Sequence, residues 1–248
     1  MEIIPLGDSA LIVRVRDRFD DEPAETLDKV LRAFQQLQRT TIPGVIELAP
    51  AYTSVSVSFD PIAVAKASES PDEIFDWLAA RIRAAVAGVA DPGRITRSRL
   101  QTVEIPVCYG PEFALDIDEV ARCAKTSPSE VIRLHSGAEY RVACIGFVPG
   151  FPFLAGLPKK LATPRREVPR KEIPPGSVGI GGAQTGIYPL RSPGGWNLIG
   201  RTPLRLFDPE KNPPALLRAG QRVRFRKITR DEFAAFAEAT AAKESLNR

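Results

Sequence analysis

At 248 residues, 44% hydrophobic and 26% charged, the chain has the make-up of an ordinary globular protein able to bury a sizeable core, and its length allows one large domain or two ordinary ones. Thirty-four Lys and Arg against thirty Asp and Glu leave a net charge of only +4, spread along the chain, which argues against nucleic acid as a partner. The longest apolar stretches, Ala10 to Val13 and Ala84 to Ala90, fall far short of the roughly 20 residues of a membrane helix, and no charged-then-apolar leader precedes them, so a cytoplasmic protein is expected.

In chain order, the opening EIIPLGDSALIVRV alternates apolar and polar residues toward its end as a half-buried strand does, with Gly7 and Asp8 as a turn just before. Glu25 to Leu37 predicts a helix, because Leu27, Val30, Leu31, Phe34 and Leu37 recur at helical spacing and make one apolar stripe. VIELAPAYTSVSVSFDP returns to period two as a strand, with Val55, Val57 and Phe59 on one face and Ser54, Ser56 and Ser58 on the other. In SESPDE, Ser70 reads as the N-cap and Pro71 as the first residue of a second helix, whose stripe is Ile74, Trp77, Leu78, Ile82 and Val86. These elements make a small α/β domain over residues 1–90, and the polar DPGRITRSRL, residues 91–100, reads as a linker.

Residues 101–248 differ in kind. Short β-rich runs (TVEIPVCY, YRVACIGFVP, GSVGIGG, GIYPLR, WNLIGRTPLRLF, RVRFRKI) separated by Gly and Pro predict an all-β barrel or sandwich. One helical stretch interrupts them, Ile117 to Arg133 after Asp116, and Ser127-Pro128 splits it in two because proline disfavours helical backbone in the residue before it. A last helix runs from Thr229 to Leu246.

The chain has a single histidine, so any Ser-His-Asp, Cys-His or His-ligated metal chemistry of its own runs through His135. Cys108, Cys123 and Cys144 are odd in number, widely separated and without a C-x-x-C pair; buried thiols are expected, and no metal site. His135 stands at a predicted helix end, either capping backbone carbonyls or serving a site as general acid or base or as a donor to a substrate carbonyl. Close after it come Tyr140 and GFVPGFPFL, in which Phe147, Phe151 and Phe153 alternate with prolines and Gly150. Such a stiff loop either stacks its rings on a planar amide or plugs the barrel with them.

Downstream, TPRREVPRKE sets Arg165, Arg166, Arg170 and Lys171 in a proline-punctuated stretch, suited to an acidic ligand or to a solvated loop. GSVGIGGAQTG meets neither the P-loop nor the G-x-G-x-x-G pattern, because Gly179 and Gly181 are followed by Gln184, so hairpin and bulge glycines are expected. Gln184, Tyr188, Trp196 and Arg201 offer an amide, a hydroxyl, a stacking face and a guanidinium to a pocket, or serve packing alone.

GDSAL, PAYTSVSVSFDP, EIPVCYG, LHSGAEY, GFVPGFPFL, PRREVP, PPGSVGIGGAQTGIYPLRSPGGWNLIGRTP and LFDP occur in this order, and together they are highly specific. From Ile3 to about Phe225 the chain thereby resembles the family of KipI, of allophanate hydrolase subunit one and of the 5-oxoprolinase B subunit. The resemblance implies an α+β fold, with a small N-terminal α/β domain and a C-terminal cyclophilin-like β-barrel domain. It implies a C-subunit homologue and a separate A-subunit homologue as partners, the set opening the lactam 5-oxo-L-proline to L-glutamate with ATP. ATP then belongs to the complex, since this chain has no phosphate-cradling loop. On that reading Tyr140, Phe147, Phe151, Arg166, Gln184, Tyr188, Trp196 and Arg201 contact the substrate and His135 is catalytic. The family also implies two alternatives: a KipI-like inhibitor of a sensor histidine kinase, and a carboxyltransferase-type subunit of urea or allophanate metabolism.

Overall fold

The computed structural model describes residues 1–18, 23–68, 73–87 and 102–246, and the chain divides into two compact units, Met1–Arg99 and Leu100–Arg248. In the first unit, β1 (Glu2–Pro5) and β2 (Ala10–Arg14) pair as an antiparallel hairpin whose connection contains Gly7 at φ 63°. The segment expected as one strand is two, β3 (Val45–Ala51) and β4 (Ser54–Phe59), because the chain reverses at Tyr52, φ 39°. The turn carries neither Gly nor Asn, so nothing in the sequence marks the reversal. Val55, Val57 and Phe59 are buried and the intervening serines half-buried, in a sheet of order β1-β2-β4-β3.

On this sheet packs α1 (Pro23–Arg39), burying Leu27, Val30, Leu31 and Leu37 as its stripe requires. A short helix that the periodicity misses, α2 (Pro61–Ser68), begins where Asp60 Oδ1 accepts from the amides of Ile62 and Ala63 at 2.9 and 3.2 Å. The Asp-Pro pair is an N-cap followed by proline at the first helical position, a local signal the stripe search passes over. α3 (Ile74–Val86) buries Leu78, Ile82 and Val86. The expected cap at Ser70 and Pro71 and the expected linker at 91–100 lie outside the described residues.

In the second unit, β5 (Val103–Cys108), β6 (Glu139–Ile145), β7 (Pro152–Ala155), β9 (Ser177–Gly181), β10 (Gln184–Ile187), β12 (Asn197–Arg201) and β13 (Arg222–Ile228) close into a barrel. Its order is β10-β7-β6-β13-β5-β12-β9, and β8 (Arg170–Ile173) with β11 (Ser192–Gly194) forms a separate ribbon. The choice between barrel and sandwich is thus decided for the barrel, and the α+β expectation holds. Each β-rich run contributes to a strand, whereas β7, β8 and β11 escape the pattern; they are only four, four and three residues long, and the proline of β7 is tolerated at its first position. β13 pairs in parallel with β5, joining the two ends of this unit in a way no local pattern announces.

The helical stretch divides as expected into α4 (Ile117–Cys123) and α5 (Pro128–Gly137), and Ser127 caps α5 by accepting from the Glu130 amide at 3.2 Å. The last helix, α6 (Arg230–Leu246), places the Phe233 ring 4.6 Å from that of Phe113. Ile105, Val107, Val142, Leu154, Ile180, Ile199 and Phe225 fill the barrel, with Val120 and Val131 packed in from the helices. Among the described residues, no helix is long and apolar enough to cross a membrane.

Candidate functional site

His135, near the end of α5, is 0% exposed. Its Nδ1 lies 2.8 Å from Tyr109 Oη, its Nε2 lies 3.1 Å from Thr185 Oγ1, and its ring stacks on Phe225 at 4.5 Å. Thr185 Oγ1 donates its proton to the Gly179 carbonyl at 2.9 Å, so toward the imidazole it accepts. That fixes the neutral tautomer with hydrogen on Nε2 and leaves Nδ1 to accept from Tyr109. Burial holds the imidazole pKa at about 3, so the ring is uncharged near neutral pH. Tyr140 is also buried and donates to the His135 carbonyl at 2.8 Å; burial raises its phenol far above the ordinary range. These findings correct the expectation of a catalytic imidazole and a substrate-contacting Tyr140, since both are interior groups with their polar atoms already paired. Capping is not realised either: the ring bonds hydroxyls that come from 26 residues before it and 50 after it.

The aromatic loop divides between burial and exposure. Phe151, 2% exposed, sits 5.1 Å from Tyr188, 5.5 Å from Trp196 and 4.7 Å from Phe153 in a cluster with Ile173 and Leu198. Phe147 is 62% exposed at φ 70°, its ring 5.6 Å from that of Phe151. Bonds from Gly146 N to Phe151 O and from Phe151 N to Val148 O close the loop on itself, so the ring is displayed from a stiff support. The glycines are explained by the same cluster. A Cβ at Gly181 would stand 2.5 Å from the Trp196 indole, and one at Gly186 would stand 3.0 Å from the Phe151 ring. The two-residue connection from β9 to β10 starts at Gly182, φ 63°, as a hairpin glycine should, and half-exposed Gln184 follows it, paired with Gly181. Gly181→Ala is therefore expected to destabilise the barrel unit by about 1–3 kcal/mol, measured by urea unfolding followed through Trp196 fluorescence in a Trp77→Phe background.

The basic stretch is held from within. Asp116, 6% exposed, accepts from Arg166 Nη1 at 2.8 Å, from Arg170 Nη1 and Nη2 at 2.8 and 2.9 Å, and from the Leu198 amide at 2.7 Å. The carboxylate that the sequence places at the start of α4 makes no side-chain cap there and instead ties the 163–170 segment to β12. Arg166 is thus committed to an internal ion pair, which corrects its reading as a substrate contact. Arg165 lies over the Trp196 ring at 6.0 Å.

Arg201, at the end of β12, has different surroundings. Its Nε donates to the Pro175 carbonyl at 2.8 Å and its guanidinium lies 5.7 Å over the Phe113 ring. It lines a groove of about 440 Å³ with Pro175, Leu190, Arg205, Phe207 and Phe233. Burial, with Arg191 nearby, lowers its pKa from the usual guanidinium value. Gly150 of the aromatic loop packs on Phe207, so the displayed Phe147 loop adjoins this groove. The structure therefore brings Phe147, Phe151, Tyr188 and Trp196 together, sets Arg201 in the neighbouring groove, buries His135 and Tyr140, and ties Arg166 to Asp116. Arg205, Phe207 and Phe233 escape the sequence reading because they come from segments read as strand flank and helix. Among the described residues, no group of three or more His, Cys, Asp or Glu side chains is placed to hold a metal. Among the described residues no disulfide forms, and Cys108 and Cys144 are buried.

The family described as carboxyltransferase domain, subdomain C and D, matches residues 1–217. The 5-oxoprolinase B subunit of Bacillus subtilis (strain 168) is 44% identical over 239 residues, 96% of this chain and 97% of that protein. Among solved structures, the conserved uncharacterized protein PH0987 from Pyrococcus horikoshii is 39% identical, with a TM-score of 0.54 over 94% of this chain and 100% of that one. TTHA0988 is 34% identical with a TM-score of 0.70 over 88% of this chain, which spans 40% of that longer protein. By the reach of the family match and by these identities, the chain belongs to the carboxyltransferase subdomain C and D family, together with the 5-oxoprolinase B subunits.

Proposed function

We propose that this chain is the B subunit of an ATP-dependent 5-oxoprolinase and contributes, with C-subunit and A-subunit homologues, to the hydrolytic opening of 5-oxo-L-proline to L-glutamate. The observation that carries the reading is the 44% identity, nearly end to end, with the Bacillus subtilis protein of that name. The geometry supports a share in the reaction rather than the whole of it. The chain's one imidazole is sealed in the barrel, while its outward features are a displayed phenylalanine and a groove holding arginines, which bind rather than transfer protons. Lactam opening in water needs an activated amide, and ATP supplies that activation through the assembly. This chain works in the cytoplasm as part of that hetero-oligomer.

The test is reconstitution. With this chain and its A-type and C-type partners purified, ATP-dependent release of glutamate from 5-oxo-L-proline is expected only when all three are present. Full turnover by the two partners alone, or none by the three together, overturns the proposal.

A further inference from the structure

The groove beside Arg201 carries a charge asymmetry that the fold does not resolve internally. Its lining includes two arginines, Arg201 and Arg205, and no carboxylate. Arg205 has Asp208 at 3.6 Å and the Phe207 carbonyl at 3.2 Å. Arg201 has no carboxylate partner among the described residues; its hydrogen bond to the Pro175 carbonyl leaves from Nε, so both terminal nitrogens remain to donate. Arg166, Arg170, Arg122, Arg133, Arg224 and Arg226, by contrast, all lie on acids. The Phe113 ring lies 5.7 Å from the guanidinium, whose terminal edge has the geometry to pair with a planar, two-oxygen acceptor.

The rest of the groove is rigid and apolar. Pro175, Pro189 and Pro203 fix its walls, with Leu190, Phe207 and Phe233 between them. Its floor is set by backbone bonds, Thr202 N to Gly176 O at 2.9 Å and Gly176 N to Tyr188 O at 2.7 Å. Gly176 holds φ 82° and has the Thr202 carbonyl against the place a side chain would occupy, so the floor cannot close by gaining a Cβ. At about 440 Å³ the space suits a small molecule and leaves room for one larger than an amino acid.

From this we propose that the Arg201 groove is a binding site for a small carboxylic acid with an apolar or cyclic body, its carboxylate paired with the Arg201 guanidinium and its ring against the prolyl and phenylalanyl walls. Phosphate alone would satisfy the cation and waste the walls; a neutral lactam would fill the walls and leave the cation unpaired. Under the proposed function, on which the choice of probe rests, the acid is the substrate 5-oxo-L-proline and this groove is where the chain holds it.

The experiment titrates the isolated full-length chain, by nuclear magnetic resonance of ¹⁵N-labelled protein, with 5-oxo-L-proline, with 2-pyrrolidinone, which lacks only the carboxylate, and with inorganic phosphate. Saturable shifts in residues 175–176 and 201–205 are expected with 5-oxo-L-proline, with at least tenfold weaker binding of 2-pyrrolidinone and of phosphate. Arg201→Gln should weaken 5-oxo-L-proline at least tenfold. Leu190→Trp, a rim substitution that leaves the guanidinium in place, should also block it by filling the groove. Equal binding of the neutral lactam, tighter binding of phosphate, unchanged affinity in both variants, or no saturable shift at all each overturns the site. None of these outcomes depends on turnover, so the groove can fail while the reconstituted assembly still opens the lactam, and the reverse.

Discussion

Replacing His135 with leucine is expected to destabilise the barrel unit by about 3 kcal/mol at neutral pH, because the change strands buried hydroxyls rather than removing a reactive group. Tyr109 Oη loses the partner it holds at 2.8 Å and Thr185 Oγ1 loses the donor at 3.1 Å, while the stack on Phe225 is replaced by a smaller aliphatic contact. The same substitution is expected to remove a pH dependence. Below about pH 6.5 the unfolded chain takes up a proton that the folded imidazole, with its pKa at about 3, refuses. The unfolded state therefore binds more protons across that window, and stability falls as pH falls, by roughly 2–3 kcal/mol between pH 7 and 4.5 for this one group. Urea unfolding at pH 7 and pH 4.5, read through Trp196 in a Trp77→Phe background, should show the wild-type chain losing more stability than His135→Leu over the same interval. An equal loss in both would show that the ring is not sealed as described. If the reconstituted enzyme lost its activity in this variant while the barrel kept its stability, the imidazole would be chemical after all.

Substituting Asp116 with alanine should be of similar size, about 2–4 kcal/mol, since one carboxylate satisfies two guanidinium groups and a buried backbone amide. The side chains of Arg166 and Arg170 are 35% and 22% exposed, so water recovers part of the loss, and the upper end of the usual range for a broken buried pair is not reached. Arg166→Ala should cost less than about 1 kcal/mol, because Arg170 and the Leu198 amide still occupy the carboxylate. The contrast separates an organising acid from an interchangeable base. It should also appear in limited proteolysis: Asp116→Ala frees the 163–170 segment, and trypsin should cut at Arg165, Arg166, Arg170 or Lys171 faster than in the wild-type chain. A resistant segment in Asp116→Ala would mean that the Asn197 bond to the Pro164 carbonyl and the Arg166 amide bond to the Gly195 carbonyl hold it unaided.

Local order in this chain is legible in short-range patterns. The stripe Leu27, Val30, Leu31, Leu37 buries one side of α1, the alternation Val55, Val57, Phe59 turns one face of β4 inward, and Ser127-Pro128 parts α4 from α5. Each of these follows from a period or a backbone restriction acting within a few residues, which is why it could be read directly. The order of motifs likewise carried the family. Which polar residues are buried and paired and which stay exposed is decided in three dimensions alone, because burial and pairing depend on groups distant in the chain. His135 has both ring nitrogens engaged by residues 26 and 50 positions away, and Asp116 takes up arginines 50 and 54 positions away. Arg201 keeps its free edge because the closed barrel brings it a proline carbonyl and a phenylalanine ring, and among the described residues no acid. Hydrogen-bond capacity is finite, so the folded chain, by choosing which groups are satisfied inside, determines which are left to act outside.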